Sequence, residues 1–238
     1  MLPIRVNYAA AILFMSLACA PASSSTRGAE STSAASQTNA TATPSADTAK
    51  SKDPDVVRAD LARIEGSPSA KLWVVVVSDF QCPYCKQWHD EAYESFRREY
   101  VETGKVRFAY INYPLNSHQN AWPAAQAAMC AAAQDKFWPM HEALFSTQQK
   151  WEILSPPTPF LDSLARSLKL DMTRFKDCVS SGKMRGLIKA DHDRALAAGA
   201  TSTPTFLIGS QLLVGAVPLA DMRKTVDSAL AKAGKSTP

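Results

Sequence analysis

Residues 72–77, LWVVVV, form an unbroken apolar run ending in four valines, the pattern of a strand buried on both faces. After a Cys-Pro-Tyr-Cys segment at 82–85, Trp88, Ala92, Tyr93, Phe96 and Tyr100 recur at helical spacing with charged residues between them. That stripe predicts a helix, which Gly104 ends. Residues 106–110 read as a second strand closed by Pro114. From 117 to about 198 the pattern turns helical: an Ala-rich stretch at 121–134, apolar positions over 137–145, and a loop at Ser155-Pro156-Pro157-Thr158-Pro159. A short helix carrying Leu161, Leu164, Ala165 and Leu168 follows, then helices over 172–179 and 187–198, with Gly199 as a C-cap. Strand signals return at 205–208, turn at Gly209-Ser210 and resume at 212–214. Pro218 opens a last helix with Leu219, Met222, Val226, Ala229 and Leu230 on its stripe and Gly234 after it. The order is strand, helix, strand, helical block, hairpin, helix, which predicts an α/β fold interrupted by one long helical insertion at about 115–199.

The chain ahead of this pattern has a different character. Residues 8–18 are uncharged and follow Arg5, too short a run to span a bilayer but suited to the core of an export signal over 1–19. Two processing routes are open. Ala18-Cys19-Ala20 and Ala20-Pro21-Ala22 fit ordinary signal cleavage, and Met15-Ser16-Leu17-Ala18-Cys19 resembles a bacterial lipobox that would leave Cys19 lipidated at the new N-terminus. Residues 20–52 are predominantly Ser, Thr and Ala, with no aromatic residue and no Val, Ile, Leu or Met. Such a segment has too little apolar surface to offset the entropy of ordering, so a flexible tether is expected, with one globular domain from 53 to 238.

Composition narrows the function. Lys and Arg number 26 against 22 Asp and Glu, with no dense basic run, which excludes a nucleic-acid partner. Cysteines stand at 19, 82, 85, 130 and 178, and the odd count asks which one is unpaired.

The strongest chemical signal is the pair Cys82 and Cys85 where a buried strand meets a helix. Cys82 falls in the N-cap region, where unpaired amides and the helix dipole favour a thiolate. Pro83 suits the first helical position, since its missing N–H is not needed there. Cys85 lies one turn on, within reach of a small disulfide with Cys82. Haem attachment would require His after Cys85, where Lys86 stands. A zinc site would require two further ligands, and Cys130, Cys178 and His89 form no second paired motif. No metal site is therefore expected, and thiol–disulfide exchange requires no cofactor.

Ser78-Asp79-Phe80-Gln81-Cys82-Pro83-Tyr84-Cys85, together with Thr203-Pro204-Thr205-Phe206, resembles the DsbA-like branch of the thioredoxin fold. The resemblance spans about residues 55–232 and includes Pro114-Leu115 with His118, and Asp135-Lys136-Phe137-Trp138-Pro139-Met140-His141. It implies a βαβ half and a ββα half with helices inserted between them. It implies that Cys82 is the nucleophile, Cys85 the buried resolving thiol, and Thr203-Pro204 a cis-proline loop that holds an extended substrate. It implies further that Cys130 and Cys178 are joined as a structural cross-link. The chain departs from the pattern at two places. Val76 occupies the position six before the nucleophile, where some relatives carry a buried acid, which leaves Asp79 as one option for moving protons and a solvated turn residue as its other reading. The dipeptide between the cysteines is Pro83-Tyr84, without the thiolate-stabilising His of the most oxidising members, so a less oxidising couple is expected.

The leading expectation is an exported, monomeric protein-disulfide oxidoreductase in the periplasm or cell envelope. Its partners would be extracytoplasmic proteins with thiols or disulfides and a membrane redox protein that resets the cysteines. A lone tethered domain points to an oxidase or a reductase, whereas Thr203 before the proline is shared with isomerase-type relatives, so direction stays open. The alternatives are a copper or other soft-metal binder that uses the two thiolates, and a chaperone-like binder whose thiols are incidental. Trp122, Trp138, Phe145, His141 and His192 read as scaffold, and His118 follows a possible N-cap at Ser117.

Overall fold

In a computed structural model of the protein, residue 51 and residues 53–235 are described. The export signal, Cys19 and all of the expected tether except Ser51 lie outside the described residues. The valine run becomes β2 (Leu72–Ser78), flanked on one side by parallel β3 (Val106–Asn112) and on the other by antiparallel β4 (Thr205–Ile208). The short β1 (Ile64–Glu65) and β5 (Gln211–Val214) take the edges, giving the order β1-β3-β2-β4-β5. Placing β2 at the centre explains its composition. Its alternate residues serve two faces, with Val74 and Val76 in the larger core alongside Phe108 and Phe206, and Val77 in a second cluster with Tyr113, Ala195 and Ala200.

Six helices lie between β3 and β4: α4 (Ala121–Ala132), α5 (Phe137–Ser146), α6 (Gln148–Trp151), α7 (Thr158–Ser167), α8 (Met172–Ser181) and α9 (Arg185–Ala197). α10 (Leu219–Lys235) closes the order, burying Met222, Val226 and Ala229, and runs through Gly234, which the sequence pattern placed after it. Two elements had no sequence signal strong enough to predict them. α1 (Pro54–Ala62) has a weakly apolar face and is set by its ends, with Asp53 capping the Asp55 amide and Pro54 in the first turn. β1 is only two residues long. It leads into Gly66, whose φ of +93° and close approach to the Val106 carbonyl leave no room for a side chain.

The segment after the cysteines is helical but not uniformly α. α2 (Pro83–Trp88) and α3 (Glu94–Phe96) are joined and followed by π-helical turns at His89–Tyr93 and Arg97–Val101. The stripe explains why. Trp88, Ala92, Phe96 and Tyr100 recur every four residues, and all are buried. Over three such steps an ideal α-helix drifts by about 120°, and wider turns remove that drift. Gly104 takes a φ of +72° three residues after the last helical residue. α9 ends at Ala197 with Ala198 as its C-cap, one position before the Gly199 expected in that role, and Gly199 follows with a φ of +87°.

A buried ionic cluster ties α1 and α9 to β3. Arg63, 3% exposed, bonds Asp60, Asp191 and the Tyr110 carbonyl, and Asp191 also takes Arg194 and the Asn112 amide. Cys130 on α4 and Cys178 on α8 are joined by a disulfide with their Cα atoms 5.8 Å apart.

Candidate active site

The turn from β2 to α2 carries Asp79, Phe80, Gln81 and Cys82. Cys82 is the N-cap of α2, with extended backbone, and Pro83 begins the helix. Cys82 and Cys85 are both free thiols. The Cys82 thiol is pulled down to about 6, chiefly because the Cys85 thiol donates a hydrogen bond to it. Burial opposes the shift, and Thr203 and the backbone N–H groups of Cys85 and Tyr84 add to it. Cys85 is pushed well above the usual thiol range, first by burial, then by its hydrogen bond to Cys82 and the negative charge there. Its Sγ accepts from the Asp79 N–H at 3.5 Å. The two cysteines are thus pushed in opposite directions, Cys82 toward the thiolate and Cys85 toward the protonated thiol.

The Thr203–Pro204 bond is cis and opens β4. In the thiol form, Cys82 Sγ donates to the Thr203 carbonyl at 3.4 Å. The buried Thr203 hydroxyl makes no hydrogen bond among the described residues, and the Thr203 side chain helps to lower the Cys82 thiol. The Pro204 carbonyl accepts from the Gly215 N–H at 2.8 Å, which fixes the loop to the chain after β5. Tyr84 is 61% exposed at the site's rim.

Asp79 is buried, so the reading of it as a solvated turn residue does not hold. Its carboxylate accepts from the Gln81 N–H at 2.7 Å, the Leu115 N–H at 3.0 Å and His118 Nδ1 at 2.7 Å. His118 is raised above the ordinary imidazole value, first by that bond to Asp79 and against partial burial. Val76 lies in the core, so no acid takes its place there.

The inserted helices hold the turn from the other side. Gln148 Nε2 donates to the Phe80 carbonyl at 2.7 Å and the Cys82 carbonyl at 3.1 Å. Gln81 Oε1 accepts from the Asn120 N–H at 2.7 Å, and Gln81 Nε2 donates to the Glu152 carbonyl at 3.0 Å. Asn120 Nδ2 donates to the carbonyls of Trp151, Glu152 and Leu154. Gln148 and Asn120 carried no sequence signal, because a lone amide side chain reads as surface until the fold buries it. The only available cue was polarity at positions flanked by apolar helix faces.

Other residues singled out by the sequence are held by packing and polar contacts of their own. Phe145 and His141 are buried in an aromatic cluster with Phe80 and Tyr93, and burial drives His141 well below the usual imidazole range. Trp138 packs against Phe108, Trp122 carries the Arg185 guanidinium over its ring, and His192 stacks on Tyr113 at 4.5 Å. His89 bonds Asp90 and Glu142. Among the described residues no group of three or more His, Cys, Asp or Glu is placed to hold a metal ion.

A family model described as Thioredoxin matches residues 58–228, and the chain belongs to that family. The chain is 28% identical over 171 residues to the probable disulfide bond formation protein D of Bacillus anthracis, covering 70% of the chain and 77% of the relative. It is 33% identical over 175 residues to the Na(+)/H(+) antiporter NhaA 3 of Salinispora tropica, covering 73% of the chain but only 26% of that protein. Among solved structures, alpha-DsbA1 of Wolbachia pipientis superposes with a TM-score of 0.65 at 22% identity, covering 73% of the chain and 92% of that structure. Oxidised BdbD of Bacillus subtilis gives the same TM-score and identity over 71% of the chain and 92% of that structure. These superpositions place the chain in the thioredoxin fold with a helical insertion.

Proposed function

We propose that the protein is a protein-disulfide oxidoreductase in which Cys82 and Cys85 alternate between disulfide and dithiol. The observation that carries this reading is the opposed pair of thiols, Cys82 drawn down toward neutrality and Cys85 held protonated by burial. Acting as an oxidase, the disulfide form meets a substrate thiolate, which attacks Cys82 Sγ. The Cys82–Cys85 bond breaks, Cys85 leaves and takes up a proton, and a mixed disulfide joins Cys82 to the substrate. A second substrate thiolate then attacks the substrate's sulfur in that bond, and Cys82 leaves as the thiolate. Two electrons pass from substrate to protein, and a substrate disulfide is formed. The same steps run backwards reduce a substrate disulfide, and the reduction potential of the pair sets the direction. Thr203 and Pro204 are read as the loop that aligns an extended substrate beside Cys82.

The setting belongs to the same proposal. The N-terminal sequence supports export to the periplasm or cell envelope, with Cys19 as a lipid anchor and residues 20–52 as a tether. The partners are extracytoplasmic proteins with thiols or disulfides and a membrane redox protein that resets the pair, and the working unit is a monomer. The relatives named disulfide bond formation protein D support exchange as the activity.

The test is capture of the mixed disulfide. A Cys85→Ala variant treated with oxidised glutathione is expected to carry one glutathione, mapped by mass spectrometry to Cys82. A Cys82→Ser variant is expected to carry none and to lose insulin-disulfide turnover. Turnover that survived Cys82→Ser would overturn the proposal.

A further inference from the structure

The two residues between the cysteines, Pro83 and Tyr84, supply no positive charge to the nucleophile. A basic ring nevertheless stands at the site, brought there from another part of the chain. His118 lies in the connection from β3 to α4, and its backbone is fixed on both sides: its N–H donates to the Leu115 carbonyl at 3.0 Å, and its carbonyl accepts from Ala121 at 3.1 Å. Its Nδ1 meets Asp79 Oδ2 at 2.7 Å. Asp79 in turn is built into the cysteine turn. Its carbonyl accepts from the Cys82 N–H at 3.1 Å, and its own N–H faces Cys85 Sγ. The ionisable groups that act on His118 are Asp79 from the β2–α2 turn, Cys82 from α2 and Glu152 from the chain after α6. All three favour the imidazolium.

We propose that His118, oriented by Asp79, is the cationic partner of the Cys82 thiolate and a positioning residue for disulfide exchange. The inference rests on the reading of Cys82 as the exchanging thiol. It assigns to a loop ahead of the helical insertion the electrostatic role that the Pro83-Tyr84 dipeptide leaves unfilled. A cation beside the thiolate stabilises the reduced pair over the disulfide, so it makes the couple more oxidising. The sign with pH follows from the raised His118 value. The imidazolium is present below the ordinary histidine range and is lost as pH rises through the raised value. The coupling is reciprocal, so converting Cys82 to a disulfide removes a negative charge and lowers the His118 pKa.

Two measurements on the full chain test this. In the first, the His118 ring is titrated by NMR in the dithiol form and in the disulfide form, each prepared with a chemical reductant or oxidant. The midpoint is expected to be higher in the dithiol form, and equal midpoints would overturn the pairing. In the second, wild type and His118→Gln, which retains a donor for Asp79, are equilibrated with glutathione at pH 6. The equilibrium of the folded variant is expected to move about tenfold toward the disulfide, about 30 mV more negative. An unchanged equilibrium in a folded variant would overturn the proposal. A wild-type chain that failed to equilibrate with glutathione would overturn the exchange reading instead, and the ring titration would still decide the charge pairing.

Discussion

Cys82 Sγ lies 3.4 Å from the carbonyl oxygen of Thr203, a residue 121 positions further along the chain. The contact joins the start of α2 to the loop that opens β4, so the proposed nucleophile and the cis-proline loop meet at one point. Replacing Thr203 with Val keeps the shape and removes the hydroxyl that supports the thiolate. A hydrogen bond to a charged group contributes about 1.5 kcal/mol, so the Cys82 pKa should rise by about one unit. Thiolate absorbance followed against pH measures it, and an unmoved titration would show that the hydroxyl plays no part.

The rate at which a small alkylating reagent modifies the reduced protein should follow the Cys82 thiolate, reaching half its plateau near pH 6. Cys85 should remain unmodified through neutral pH, since burial raises its value. The stability consequence has a definite sign. Cys82 is lowered in the folded state, so its contribution is present above the unfolded thiol value and is lost as pH falls through about 6. The reduced protein should therefore gain stability relative to the oxidised protein between pH 6 and 8. Denaturant unfolding of both forms across that range would show it, and a difference independent of pH would contradict it.

The Cys130–Cys178 bond closes a loop of 48 residues within the inserted helices, tying α4 to α8. Replacing both cysteines with Ala should lower stability by about 2–4 kcal/mol through the freed unfolded chain. Glutathione exchange at Cys82 should persist in the variant at temperatures where it stays folded.

Arg63 answers two buried carboxylates, Asp60 and Asp191. Arg63→Ala would leave both without that partner, a change that costs about 3–5 kcal/mol. The companion Asp191→Asn should cost less, because Asn retains an acceptor for Arg63 and Asn112. Equal stability of wild type and Arg63→Ala by denaturant titration would contradict the cluster's role.

Much of this fold can be read from periodicity. The β2 valines, the hairpin around Gly209 and the α10 stripe announce themselves, because each has a partner surface that demands one repeat. The cysteine pair is equally plain, being a short local motif. The π turns after α2 were hidden, since a four-residue apolar repeat resembles an ordinary helix until it is followed over three steps. α1 and β1 depend on caps and on a single glycine, signals too short to stand out. The polar frame of the site was least legible. Asp79 and His118 lie 39 residues apart, Gln148 and Cys82 lie 66 apart, and only the folded chain brings each pair together.

The central claim is that Cys82 and Cys85 form a reversible two-electron couple. Equilibration of the full chain with reduced and oxidised glutathione, followed by quenching and mass mapping of the two cysteines, tests it most directly. The account predicts a single two-electron transition of the Cys82–Cys85 disulfide, with a potential between about −270 and −120 mV. A value near the lower end would mark a reductase, and one above about −180 mV an oxidase. Two cysteines that stayed reduced at every glutathione ratio, or that were glutathionylated without forming a bond to each other, would contradict it.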